Sequence, residues 1–256
     1  MQIHPRSKVH AVTGGGSGIG AATVALLAQA GHTVVVLDRA EPAQPVAGAT
    51  FIEVDVSDED AVVGAFAQIR QQHGRLDGLV NSAGIESRRL VRGMDAAAWQ
   101  RVMGVNVTGT MLCTREAAAL MREGGEGGAV VNVASIAGKR MSYSGDAAYT
   151  ASKAAVLGFT RHAAFELAAD RIRVNAVCPG PTLTPMITRN LSAESIEAVA
   201  AVVPLGQWVK PEDVGHAIVF LLGDGAAMCT GTSLDVDGGV LISNGASHAD
   251  YFRQRQ

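Results

Sequence analysis

The sequence predicts an α/β protein whose parallel sheet is covered by helices on both faces. Three features carry that expectation. Short β-branched runs alternate with longer Ala-rich stretches of helical character. The first strand and first helix are joined by a glycine-rich turn, GGGSGIG. The alternation follows the order of βαβ units, whose crossovers put helices on both faces of a parallel sheet.

Taken in order, VHAVT (9–13) is a strand, AATVALLAQAG a helix, TVVVLD (33–38) and FIEVD (51–55) strands, DEDAVVGAFAQIRQQHG a helix and LDGLVNSAG a strand. The alternation continues with a long helix over AAAWQRVMGVNVTGTMLCTREAAALM (96–121), a strand at GAVVNVAS and a helix at AAYTASKAAVLGFTRHAAFELAAD. RIRVNAVCPG is a strand, PEDVGHAIVFLLG a helix that opens on Pro211 and acidic residues, and SLDVDGG the last strand. EGGEGG (123–128) reads as a tight turn, so residues 1–256 form one domain. Only 180–210 lacks a clear period. It follows the carboxyl end of a strand, where open α/β sheets bind ligands, and is expected to be a substrate lid.

Composition narrows the function classes. A formal net charge of −3 and a pI near 6.2 give no electrostatic reason to expect nucleic acid or an anionic membrane as partner; a small-molecule substrate fits better. Cys113, Cys178 and Cys229 form no CxxC, so neither disulfides nor a zinc site is expected, and the histidines form no HExxH pair. The opening MQIHPRSKVHAVTGGG has no apolar signal region, and the expected compartment is a reducing cytoplasm.

Gly14, Gly18 and Gly20 lie between a strand and a helix N-terminus, where backbone N–H groups can hold a pyrophosphate. Asp38 ends the second strand, eighteen residues past Gly20, where a carboxylate can take the hydroxyls of an adenosine ribose. Together they point to a nicotinamide dinucleotide, and because a 2′-phosphate would meet like charge at Asp38, to NAD. In YTASK, Tyr149 and Lys153 are four residues apart on one helical face, so the ammonium is expected to favour tyrosinate. Ser135, at the end of VVNVAS, can hydrogen-bond a substrate oxygen.

TGGGSGIG (13–20), NSAG (81–84), Asn106 in VNVTG, Ser135, YTASK and PGPTLT (179–184), in this order, resemble a classical short-chain dehydrogenase/reductase across residues 7–242. The resemblance implies a single Rossmann-like, doubly wound domain with a seven-stranded parallel sheet, a nicotinamide cofactor and a homotetramer. It further implies that Ser17 and Ile19 join the three glycines in holding the cofactor. Asp55 and Val56 would flank the adenine, Asn81, Ala83 and Gly84 would form the turn beside its ribose, and Thr184 would hold the carboxamide. Tyr149 would be the general acid/base, Lys153 would also bind the nicotinamide ribose, and Asn106 would hold a water leading to Lys153.

Two departures stand out: NSAG replaces the commoner NNAG, and MSYSGD carries one extra residue between Ser135 and Tyr149. Arg88, Arg89 and Arg92 lie near the expected substrate mouth, where they would either contact an anionic substrate or form a solvated charge run. Tyr143, Met186 and Trp208 are candidate pocket residues. The leading expectation is an NAD-dependent oxidoreductase for a secondary alcohol/ketone pair. The alternatives are an NADPH-dependent ketoacyl-carrier-protein reductase and a non-catalytic dinucleotide-binding protein.

Overall fold

The computed structural model describes residues 7–188, 192–243, 248–253 and 255. Seven parallel strands form one sheet: β1 (Val9–Thr13), β2 (Thr33–Asp38), β3 (Ala49–Glu53), β4 (Gly78–Asn81), β5 (Gly128–Val133), β6 (Ile172–Pro179) and β7 (Ser233–Val236). Their spatial order is β3-β2-β1-β4-β5-β6-β7, so the chain builds outward from β1 on one side and then returns to build from β4 on the other. Between β1 and β4 the two halves diverge. The carboxyl ends of those strands therefore open a crevice at the topological switch point.

The helices are α1 (Gly18–Gln29), α2 (Glu59–His73), α3 (Ala96–Met103), α4 (Gly109–Gly124), α5 (Ala147–Leu167), α6 (Pro185–Thr188), α7 (Ala193–Val202), α8 (Pro211–Leu222) and α9 (His248–Arg253). Alternate strand residues supply the cores on the two faces. On one face Val35, Leu37, Leu79 and Val130 pack against Phe66 and Ile69 of α2, Leu112 and Leu120 of α4 and Ala163 of α5. On the other, Val34, Val36, Val80 and Val131 pack against Val24 and Leu27 of α1 and Ile218 and Leu221 of α8. Asp58, Asp95 and Asp146 cap α2, α3 and α5 by accepting the N–H groups of Ala61, Ala98 and Tyr149.

The sequence predicts one long helix over 96–121; the structure divides it. A π-turn, Gly104–Thr108, separates α3 from α4 and carries Asn106. Such a turn re-aims the side chains within it, and functional sites often contain one. The EGGEGG stretch is the expected turn: Gly125 ends α4 in the left-handed region at φ 69°. In the 180–210 region, α6 and α7 form a small helical excursion whose base is closed by a parallel bridge between Thr182 and Val209. No described helix is long and apolar enough to cross a membrane.

Candidate active site

The crevice floor begins at Thr13, the last residue of β1. Its hydroxyl accepts the N–H groups of Ser82 and Ala83, both at 3.1 Å, which fixes the turn after β4 against the glycine loop. Gly14 lies so close that a Cβ there would be 2.7 Å from Ala83, and a Cβ on Gly20 would be 2.2 Å from the Gly14 carbonyl oxygen. Both positions demand glycine because backbone packs on backbone.

Ser17 stands at the N-cap of α1 without a side-chain cap, and the first turn holds no acidic residue. The N–H groups of Gly18, Ile19 and Gly20 find no acceptor among the described residues. Such a bare helix N-terminus suits a phosphate group. Thr184, carried by the segment after β6, covers this loop: a Cβ on Gly18 would lie 3.3 Å from its methyl group.

The carboxylate of Asp38 turns toward the loop and accepts the N–H of Gly16 at 2.9 Å and of Arg39 at 2.7 Å. Asp55 is held in a tight turn, its carboxylate accepting both the N–H and the hydroxyl of Ser57, and those bonds keep it below the usual carboxylate range. Val56 is buried beside Gly109 at the start of α4.

Asn81, expected in the turn beside the adenine ribose, serves the fold through its side chain. Its side chain faces the core, where its amide donates to Thr114 at 3.0 Å and to Asn132 at 2.8 Å, tying β4 to α4 and β5.

Ser135 lies just beyond β5 and caps the single turn Ile136–Gly138, its Oγ accepting the Ala137 N–H at 3.1 Å. Its hydroxyl lies close enough to the phenol of Tyr149 to favour the ionised form. Tyr149 sits in the first turn of α5, and Lys153, one turn on, holds Nζ 5.6 Å from the ring centroid while donating to the Val133 carbonyl at 2.9 Å. Ser135, Tyr149 and Lys153, from two elements, thus meet at the carboxyl edge of the sheet.

In the polypeptide alone, burial dominates the electrostatics of both groups. Burial pushes the Tyr149 hydroxyl up to about 12; the neighbouring Ser135 hydroxyl lowers it and the Glu86 charge raises it. Burial also lowers Lys153 to about 8.

Asn106 is buried in the π-turn with both ends of its amide engaged. Its Nδ2 donates to the Ile85 carbonyl and to Ser152 Oγ, both at 2.9 Å, and its Oδ1 accepts the Ile85 N–H at 2.8 Å. The three arginines are a charge run with local partners for two of them: Arg88 pairs with Glu86 and Arg89 with Asp95, while Arg92 is exposed.

The three candidate pocket residues do not converge. Tyr143 is 92% exposed, whereas Trp208 is buried and donates from Nε1 to the Ile196 carbonyl at 2.7 Å. Met186 is 40% exposed. All three cysteines are free, and the described residues hold no cluster of His, Cys, Asp or Glu fit for a metal. Sequence reading missed Thr13, Gly16, Glu86 and Asp146. Thr13 and Gly16 stand in the quoted glycine motif, but Glu86 and Asp146 carry no motif signal.

A glycine loop at the switch point and a Ser–Tyr–Lys set at the sheet edge define the class: a dinucleotide-binding α/β oxidoreductase. A sequence-family model described as enoyl-(acyl carrier protein) reductase matches residues 14–241. The chain belongs to the short-chain dehydrogenase/reductase family. It is 42% identical over 241 residues to cis-4-hydroxycyclohexanecarboxylate dehydrogenase of Sinomonas cyclohexanicum, covering 91% of this chain and 96% of that one. It is 38% identical over 244 residues to a 3-oxoacyl-[acyl-carrier-protein] reductase of Thermotoga maritima, covering 92% and 98%. Among solved structures, the ligand-free aldohexose dehydrogenase of Thermoplasma acidophilum superposes with a TM-score of 0.88 at 31% identity, over 94% of this chain and 97% of that one.

Proposed function

We propose that the protein oxidises a secondary alcohol, or reduces the matching ketone, with NAD(H), Tyr149 serving as general acid/base. The observation that carries the reading is the meeting of the Tyr149 hydroxyl, the Ser135 hydroxyl and Lys153 beside the uncapped N-terminus of α1. The residues fit a nicotinamide dinucleotide: free N–H groups at Gly18 to Gly20 for the pyrophosphate, Asp38 for the ribose, the turns of Asp55–Val56 and Asn81–Gly84 for the adenosine, and Thr184 and Lys153 for the nicotinamide half. When bound, its oxidised ring supplies the hydride acceptor and a positive charge.

Ser135 hydrogen-bonds the substrate oxygen and orients it, and Tyr149 takes the carbinol proton in oxidation or returns it in reduction. Lys153 holds positive charge beneath the phenol. The amide of Asn106 is committed to residue 85 and Ser152, so a proton path from Lys153 would run past its main-chain carbonyl.

Relatives that act on ring alcohols and sugars support the secondary-alcohol reading. The ketoacyl-carrier-protein reductase alternative rests on the 38% identity to the Thermotoga enzyme. The preference for NAD over NADP is supported by the Asp38 carboxylate beside the glycine loop, where a 2′-phosphate would meet like charge, and by Ser17 rather than a basic residue in that loop. Steady-state oxidation of cyclic alcohols and reduction of a ketoacyl thioester, each with both cofactors, test these assignments. Activity confined to the thioester and NADPH would overturn the leading one, and nucleotide binding with no turnover of any alcohol would favour the non-catalytic reading. In a reducing cytoplasm the protein would work as a homotetramer. A stable monomer by light scattering at micromolar concentration would refute that state.

A further inference from the structure

The segment after β4 runs alongside the first two turns of α5, antiparallel to it. A Cβ on Gly84 would lie 3.5 Å from Lys153 Nζ and 3.4 Å from Asn106 Oδ1. Ile85 is clamped by both ends of the Asn106 amide. Further on, the Ser87 carbonyl accepts the Asp146 N–H at 3.0 Å, the Ser87 hydroxyl donates to the Asp146 carboxylate, and the Arg89 N–H donates to the same carboxylate at 3.1 Å. Asp146 is also the cap of α5.

Residue 84 therefore lies at the Lys153 ammonium, and residue 87 is level with Asp146. Glu86 falls between them, beside Tyr149. Its charge acts on the phenol, opposing ionisation. The Glu86 side chain is only 11% exposed, and Oε1 accepts two hydrogen bonds from Arg88, at 2.8 and 3.1 Å. Oε2 accepts none among the described residues.

We propose that Glu86 determines specificity by accepting, through Oε2, a hydrogen bond from a second hydroxyl next to the carbinol that is oxidised. The site then selects vicinal diols and polyols over simple alcohols, and it rejects a carboxylate at the same position. The proposal rests on the alcohol-oxidoreductase reading. A carboxylate pinned at both flanking residues is preorganised, so a donor that meets it forms a charge-assisted bond without reordering the loop. An anionic group there meets like charge that Arg88 neutralises from one side only.

The test compares kcat/KM for cyclohexanol, trans-1,2-cyclohexanediol and cis-2-hydroxycyclohexanecarboxylate in the wild type, Glu86→Gln and Glu86→Leu, with NAD⁺ affinity measured alongside as a control for folding. The wild type is expected to prefer the diol over cyclohexanol by about tenfold or more, the size of a charged hydrogen bond, and to use the hydroxy acid least. Glu86→Leu should bring the diol-to-alcohol ratio to within about threefold of unity, and Glu86→Gln should raise relative use of the hydroxy acid. A ratio near one in the wild type, or one unaltered in both variants, would overturn the proposal while leaving the oxidoreductase reading intact. No oxidation of any of the three with NAD⁺ or NADP⁺, despite nucleotide binding, would overturn that reading and this one with it.

Discussion

Lys153→Met should make the protein more stable and less active at once. In the fold, Lys153 is buried and burial lowers it from an ordinary 10.5 to about 8. At neutral pH it is charged nonetheless, and the gap of about 2.5 pH units at ~1.4 kcal/mol each means that the fold carries a penalty of about 3 kcal/mol relative to the unfolded chain. Methionine removes the penalty along with the Nζ–H bond to the Val133 carbonyl, whose loss takes back about 1 kcal/mol. The net expectation at pH 7 is a gain of about 2 kcal/mol in the nucleotide-free protein.

The pH dependence gives the sharper check. Between pH 8 and 10.5 the unfolded wild-type chain binds the proton that the folded one has released, so wild-type stability rises through that window. The penalty is fully present below pH 8. Between pH 7 and 9.5 the wild type should therefore gain about 2 kcal/mol on the variant, erasing most of the variant's advantage. Urea unfolding of both proteins at the two pH values, at one protein concentration, measures this. A variant less stable than wild type at pH 7, with an identical pH slope, would refute the reasoning. Turnover and NADH affinity of the variant should both fall if, as proposed, one ammonium serves the phenol and the ribose.

Tyr149→Phe should abolish turnover, a loss of ~10²–10⁴-fold, with NADH affinity nearly unchanged; residual activity above about a tenth of wild type would contradict the general acid/base role. Asp38→Ser should narrow the cofactor preference, since like charge at a partly solvated edge is worth about 1–3 kcal/mol, or roughly ten- to a hundredfold in kcat/KM for NAD⁺ over NADP⁺. A wild type that prefers NADP⁺ at equal ionic strength would sink that account. His10, 2% exposed on β1 with neither ring nitrogen hydrogen-bonded, is lowered by burial from 6.5 to about 3. The unfolded chain alone protonates it below pH 6.5, so it should cost about 2 kcal/mol of stability at pH 5, fully relieved above pH 6.5; His10→Leu should remove that acid sensitivity in urea titrations at pH 5 and 8.

Much of this molecule is written in short stretches of chain. The seven strands and the turn at EGGEGG follow from local apolar runs and from glycine, and the Tyr149–Lys153 pairing needs only the pitch of one helix. The motif order extends that legibility to Ser135 and Asp38, because both stand at strand ends whose position the alternation fixes. Tertiary structure decided the rest. Asn81 turns into the core because Thr114 and Asn132, far along the chain, meet its amide. The phenol is pushed toward its neutral form because burial, summed over many distant residues, outweighs the one hydroxyl, that of Ser135, that favours its ionisation. Glu86 and Asp146 flank the site only because the crossover from β4 folds back along α5. Spacing along a chain encodes direction on a helix or a strand, but solvation and the meeting of separate elements arise only when the sheet has assembled and excluded water.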